Sequence, residues 1–306
     1  MTAYSINGYG VAVSLRSSKT ILVEGVSDKR LLSRLMLQRQ LTGNVAMNCC
    51  LDEVAIVSDD PMLAGLGAKQ KIQIIANMVG DQEGQFNWLV DREWDGVDLE
   101  AEPMSTPLVE PMPWGKKTKG HSIENYWFRS HVLVDYLKMF YGDQLPAAYF
   151  LNLHDRFKSM LQLAAAFSFA AKRLAIIGRC QGAITSGDAE WNGHNYLLKS
   201  TINTTLLLRN VPTDVAAESN SELQGSRLQT APIDALQWLC HGHLGEEVVR
   251  SCAANLAAEM GAQAATVEAI ERGSRAEKFA HHSNSVVELE QCQIEPLWDL
   301  VAWAEA

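Results

Sequence analysis

Thr20-Ile21-Leu22-Val23-Glu24-Gly25-Val26-Ser27-Asp28 is the stretch on which the reading of this chain turns. Its first four residues are apolar or β-branched with no polar alternation. Such a run suits a strand covered on both faces, as in a parallel sheet. Glu24-Gly25 ends the run. Ser27 is then placed to cap a helix starting near Asp28. Leu31, Leu32, Leu35 and Met36 follow at spacings that put them on one face of that helix.

Working outward, the pattern repeats. Val54-Ala55-Ile56-Val57 is a second candidate strand, broken by Asp59-Asp60-Pro61, and Lys69 to Val79 reads as the next helix. Phe86-Asn87-Trp88-Leu89-Val90 is a third strand, with Asp91 at its end. Strands alternating with helices predict right-handed crossovers and an α/β fold with a parallel β-sheet flanked by helices. Residues 96–120 read as an irregular passage. Ser122 is placed to cap a helix from Ile123 to about Phe140. Beyond that, helical periodicity dominates: Ala147 to Met160, Leu161 to Ile177, Tyr196 to Arg209, Pro232 to Met260 with a break near Gly242, Ala264 to Arg272, and Pro296 to Ala304. Thr213 to Gln229 is polar and reads as a loop. The expected organisation is an N-terminal α/β domain over 1–140 and an α-helical C-terminal domain over 141–306, the latter for binding a partner, a second copy or the substrate.

Length and charge narrow the function. A chain of 306 residues suggests about two domains. With 47% hydrophobic and 20% charged residues it is ordinary for a globular protein, which excludes disordered and fibrous classes. Its formal charge of -10 excludes nucleic-acid binding by overall attraction, so any such contact needs a local basic patch, a metal ion or a partner. The six cysteines, Cys49, Cys50, Cys180, Cys240, Cys252 and Cys292, have no paired spacing. Met1 to Arg16 lacks a basic start followed by a long apolar run. The expectation is therefore a cytoplasmic protein with reduced, mostly buried thiols. The most apolar stretch, Met160 to Ala171, is about a dozen residues where a membrane span needs about 20, and it reads as a core helix.

The chemistry lies in acidic residues at strand ends. In a parallel sheet, ligands bind outside the carboxyl ends of the strands, and Glu24 and Asp91 both fall there. Asp28 lies four residues beyond Glu24. If the stretch after Asp91 stays extended, Asp91, Glu93 and Asp95 point the same way. Several hard oxygen donors at one sheet edge suit Mg²⁺ or Mn²⁺. Such a metal site stabilises the attacking and leaving oxygens of phosphoryl transfer.

Three strings carry a resemblance. Val23-Glu24-Gly25-Val26-Ser27-Asp28 with Leu31-Leu32 resembles the first motif of Toprim domains, and the apolar run ending in Asp91-Arg92-Glu93 resembles their second, Asp-x-Asp-type motif. His121-Ser122-Ile123-Glu124-Asn125-Tyr126 is similar to a Toprim-related family with a helical C-terminal region, the AriB-type nuclease effectors of PARIS anti-phage systems within the overcoming-lysogenization-defect (OLD)-like superfamily. The motifs span residues 20–128. The resemblance implies a metal-dependent nuclease, held inactive by an ABC-type, AriA-like ATPase and released on infection to cut nucleic acid, with transfer RNA favoured. It implies Glu24 in acid/base chemistry or metal ligation, Asp28 as a metal ligand, and Asp91 and Glu93 as catalytic metal ligands, with Glu93 standing where Asp is commoner. Glu124 matches the acid of the third string. A homodimer is expected for the free protein.

The remaining candidates are weighed on their own residues. Lys116, Lys117 and Lys119 with His121 form the sharpest basic cluster, suited to a nucleic-acid backbone or to a solvated loop. Asp95 reads either as a further ligand or as a solvated charge. Cys240-His241-Gly242-His243 has no second pair at structural-zinc spacing and reads as a helix break, and His281-His282 is unremarkable. Trp238, Trp298 and Trp303 are expected to pack the helical domain. Two rival functions stand beside the defence nuclease: an OLD-type DNA endonuclease, and a non-catalytic module whose acidic edge holds a metal or a partner.

Overall fold

A computed structural model describes residues 3–80, 84–102, 104–107, 114–273 and 294–305. Cys292 and His281-His282 lie outside the described residues. The chain forms two compact units, one comprising Met1–Arg92, Leu108–Lys119 and Val286–Ala306, the other Glu93–Pro107 and Gly120–Ser285. Residue 140, where a boundary was expected, lies within a helix of the second unit. The chain instead leaves the first unit after Asp91-Arg92, because its third strand ends there.

The first unit is α/β. Its described elements are α1 (Ile6–Ser14), β1 (Lys19–Val23), α2 (Val26–Gly43), β2 (Cys49–Glu53), α3 (Ala68–Val79), β3 (Phe86–Val90) and β4 (Lys116–Lys117), with the C-terminal helix (Leu297–Ala304) returning to it. The strands run in the order β2-β1-β3-β4, all parallel. Ile21, Leu22 and Val23 are all buried, as a strand covered on both faces requires. Leu22, Phe86, Trp88 and Val90 join Ile6, Tyr9 and Val13 of α1 and Ile72 and Ile75 of α3 in one apolar cluster. The strand alternation turns Ile21, Val23 and Leu89 to the opposite face.

Four expectations are corrected here. The second strand is Cys49–Glu53, and Val54–Ile56 is a 3-10 turn. The buried Asp52 makes the true strand look polar, yet its carboxylate accepts from the Tyr9 hydroxyl at 3.0 Å and from Arg16 at 2.5 Å. Helix α2 starts at Val26, with Gly25 at the cap position. Asp28 rather than Ser27 serves the helix start, its Oδ2 accepting from Gly25 N at 2.9 Å. Within 96–120, Lys116–Lys117 is a strand, paired with Leu89 and Val90. Trp298 and Trp303 belong to the first unit, under the cations of Arg39 and Lys19 at 5.2 and 5.5 Å.

The second unit is helical. A 3-10 turn (Ile123–Trp127) leads to α4 (Ser130–Tyr141), α5 (Ala147–Arg173) and α6 (Ile177–Cys180), then a β5–β6 hairpin (Ala189–Trp191, Tyr196–Leu198). Helices α7 (Thr201–Leu208), α8 (Val215–Gln224), α9 (Ser226–Thr230), α10 (Ile233–Leu239), α11 (Gly242–Glu259) and α12 (Ala264–Arg272) follow. Helix α5 is one rod where two helices were expected, and it is buried continuously from Ser159 to Ala171. The polar stretch 213–229, expected as a loop, holds α8 and α9; Asp214 caps α8 by accepting from Ala217 N at 2.9 Å. The expected helix over 196–209 begins with β6. Among the described residues, no helix is long and apolar enough to cross a membrane. The five described cysteines are free thiols, with Cys180, Cys240 and Cys252 buried.

Candidate functional site

The strand order decides where a ligand can reach the sheet. From β1 the chain crosses to β2 on one side, and from β3 it moves to β4 on the other. Between β1 and β3 the connections therefore part, which opens a crevice at the carboxyl edge. Glu24 follows β1 and Asp91 follows β3, so the two carboxylates flank that crevice. Asp91 N donates to Glu24 Oε1 at 2.7 Å. This charge-assisted bond holds the Glu24 side chain across the strand gap. Asp28 sits in the first turn of α2, buried, with one oxygen taken by Gly25 N.

The neighbouring edge is tightly built. Arg92 is buried; its backbone N donates to Thr118 Oγ1 at 2.9 Å and its Nε to Thr118 O at 3.1 Å. Lys69 Nζ donates to Arg92 O at 2.9 Å. Lys116, read from sequence as either a phosphate contact or a solvated loop charge, is bound to Asp299 at 2.9 Å within the first unit. Lys117 lies in β4 and Lys119 just beyond it, both half-buried.

The donor set of Glu24, Asp28 and Asp91 is all hard carboxylate oxygen, which fits Mg²⁺ or Mn²⁺ in chemistry. Among the described residues, no group of three or more His, Cys, Asp or Glu side chains is placed to hold a metal ion, so Glu24, Asp28 and Asp91 do not converge as a three-carboxylate site. Mg²⁺ does not require one, since it commonly keeps several waters and takes one or two carboxylates together with substrate phosphates.

Glu93 and Asp95 do not extend the row of carboxylates as the sequence suggested. Glu93 is exposed with φ 56°, a left-handed conformation, and residues 93–96 form a turn. The alternation that aligned Asp91, Glu93 and Asp95 is broken there. Both residues belong to the second unit, where Glu93 N donates to His121 O at 2.7 Å.

His121 is buried, not a surface contact for a backbone phosphate. Its ring stacks on His241 with centroids 4.0 Å apart and lies 5.0 Å from the Trp94 ring. Burial, with the neighbouring His243, depresses the His241 pKa to about 4. Its Nδ1 accepts from Leu244 N at 3.4 Å and so caps α11. Glu124 is buried as well. Ser122 Oγ donates to its Oε2 at 2.7 Å, and His243 Nδ1 stands 3.5 Å from its Oε1. Asn125 clamps the two strings together, donating to Gln237 O at 2.8 Å and Cys240 O at 2.9 Å and accepting from Ser122 N at 3.0 Å. The sequence singled out both His121–Tyr126 and Cys240–His243, but only the fold joins them. Their separation of more than a hundred residues carries no local signal.

No protein-family model matches this chain, and no curated protein is significantly similar to it.

Proposed function

We propose that the chain is a metal-dependent, Toprim-type nuclease whose chemistry is centred on Glu24, Asp28 and Asp91. What supports the reading is the bond from Asp91 N to the Glu24 carboxylate at the point where the strand connections part. A bound Mg²⁺ or Mn²⁺ supplies positive charge for the phosphate oxygens. Glu24, fixed by Asp91, is oriented to hold or move a proton of the attacking water. Asp28 ties Gly25 and the start of α2 to the same edge. Thr118 fixes the backbone of Arg92 directly after Asp91, limiting how far that carboxylate can stray.

The biological setting follows from the motif resemblance. The protein is an AriB-like effector of a PARIS-like defence system, kept inactive by an ABC-type ATPase and released to cut transfer RNA. Glu24→Gln is the decisive variant. In magnesium, cleavage of RNA and DNA by the full-length protein should fall by about 10²–10⁴-fold, with the circular dichroism spectrum unchanged. Cleavage at the wild-type rate by that variant removes the reading. Loss of cleavage on DNA alone selects the OLD-type DNA endonuclease instead.

A further inference from the structure

The parallel sheet of the first unit has two edges, and they are finished differently. One is β4, two residues long and made of Lys116 and Lys117. Short strands and lysines are devices that keep an edge from pairing with another chain. The other edge is β2, Cys49–Glu53, five residues with no lysine and no proline. Its register on β1 runs without a bulge from Lys19 opposite Cys49 to Val23 opposite Glu53.

The parity of this ladder decides which backbone groups β2 leaves over. Lys19 N donates to Asn48 O at 2.9 Å. With Lys19 opposite Cys49, the parallel pattern turns the N–H and C=O groups of Cys50 and Asp52 toward β1. Those of Cys49 and Leu51, with the Glu53 N–H, point away from it. Among the described residues, these outward groups have no hydrogen-bond partner. Cys49, Cys50 and Leu51 are half-exposed. Glu305 forms an isolated antiparallel bridge at Met47, which stops short of the strand. The acids of β2 are neutralised in place, Asp52 by Arg16 at 2.5 Å and Glu53 by Lys29 at 3.3 Å.

We propose that β2 pairs antiparallel with the β2 of a second copy of this chain, about a two-fold axis at Leu51. A bare edge takes an extended strand, whose main-chain donors and acceptors match its own, and this strand is complementary to itself. With the axis at Leu51, that residue faces its own copy, Cys50 faces the copy's Asp52 and Cys49 the copy's Glu53. No like charges stand directly opposite each other. The formal charge of -10 opposes loose self-association, so the contact depends on this local neutrality. A register shifted toward the start of the strand would run into Met47, already bridged by Glu305. Two four-stranded sheets then become one of eight strands, with the two carboxylate edges facing opposite ways. Nothing in this pairing depends on the nuclease reading.

Light scattering on the full-length protein at micromolar concentration should give twice the monomer mass of 33.8 kDa. Leu51→Pro removes an outward N–H and none of the bonds to β1, and proline is tolerated on an edge strand; the mass should fall to that of the monomer. Leu51→Lys sets two ammonium groups against each other at the axis and should do the same, with the circular dichroism spectrum unchanged. Glu53→Cys reads the register. Facing residues of a hydrogen-bonded antiparallel pair have Cα atoms about 5.5 Å apart, within disulfide reach. Positions 49 and 53 of one strand are about 13 Å apart, so they cannot link to each other. Mild oxidation of that variant should join Cys49 of one copy to position 53 of the other, identified by mass spectrometry of the linked peptides. A wild-type protein that stays monomeric overturns the pairing, as does a dimer that survives both Leu51 variants or yields no 49–53 link.

Discussion

At Gly242 two distant strings of the chain meet with no room for a side chain. Gly242→Ala drives a methyl group into Ser122 Oγ, and overpacking of this kind costs about 1–3 kcal/mol. Adding Ser122→Ala removes the obstructing oxygen and should recover part of that loss; denaturant titration of the two single variants and the double variant checks the coupling. His241 makes a second residue-scale prediction. Its folded pKa of about 4 lies below the unfolded value near 6.5. As pH falls, the unfolded chain takes up the proton first. The stabilisation from the neutral ring is therefore whole above about pH 6.5 and is lost between there and about pH 4, at up to about 1.4 kcal/mol per pH unit. His241→Asn keeps an acceptor at the helix cap and should flatten the stability–pH curve in that window. An unchanged slope would show that His241 does not titrate between the folded and unfolded states.

At the scale of elements, the β5–β6 hairpin shows what holds the helical unit in register. Ser159 Oγ, on the buried stretch of α5, accepts from Tyr196 N at 2.6 Å. Tyr196 OH in turn donates to Cys252 O of α11 at 3.2 Å. Ser159→Ala leaves a buried N–H without its acceptor and should destabilise the protein by about 1–3 kcal/mol, read from urea denaturation. The same hairpin explains why helical periodicity failed over 196–209. Tyr196, Leu197 and Leu198 are apolar enough to extend a helix, but they pair antiparallel with Ala189–Trp191, and Tyr196 N and Leu198 N are bound by Ser159 Oγ and Asn220 Oδ1. Helix α8 is the opposite case. Its polar sequence hides a helix whose buried face, Val215, Ala216, Ser219 and Leu223, has helical spacing.

At the scale of the whole molecule, two compact units with separate cores predict unfolding that is not two-state. Calorimetry should resolve two transitions. The C-terminal helix is tied to the first unit through Lys19 Nζ, which donates to Trp303 O and Glu305 O at 2.7 and 2.6 Å, and through Arg39 and Glu305 at 2.7 Å. Leu300 of that helix is fully buried. Leu300→Ala should cost about 2–5 kcal/mol and lower one transition while sparing the other. A uniform shift of both would mean that the units melt together. The charge of -10 bears on assembly, since it favours a partner with a basic surface. A dimer of the free protein follows from the defence reading, and light scattering at micromolar concentration measures it directly.

The short elements with strong local signals were legible from sequence. Phe86–Val90 is buried at every position, and its apolar run needs no tertiary context to read as a strand. Glu24 and Asp91 were legible as strand-end acids for the same reason, because strand ends are local events. The folded chain alone decided which strands are neighbours, since β1 lies between β2 and β3 by pairing over tens of residues. That order places Glu24 and Asp91 across one crevice, and no spacing in the sequence encodes it. The turn at Glu93 depended on tertiary bonding too: its N–H is bound by His121 O and its backbone is left-handed, so the extended alternation read from sequence could not persist. Glu124 and His243 lie still further from local signals. Their meeting rests on an Asn125 clamp and a glycine with no room for Cβ, contacts between residues more than a hundred positions apart. Hydrophobic periodicity reports what each segment buries, whereas pairing and clamping depend on which distant segment supplies the partner.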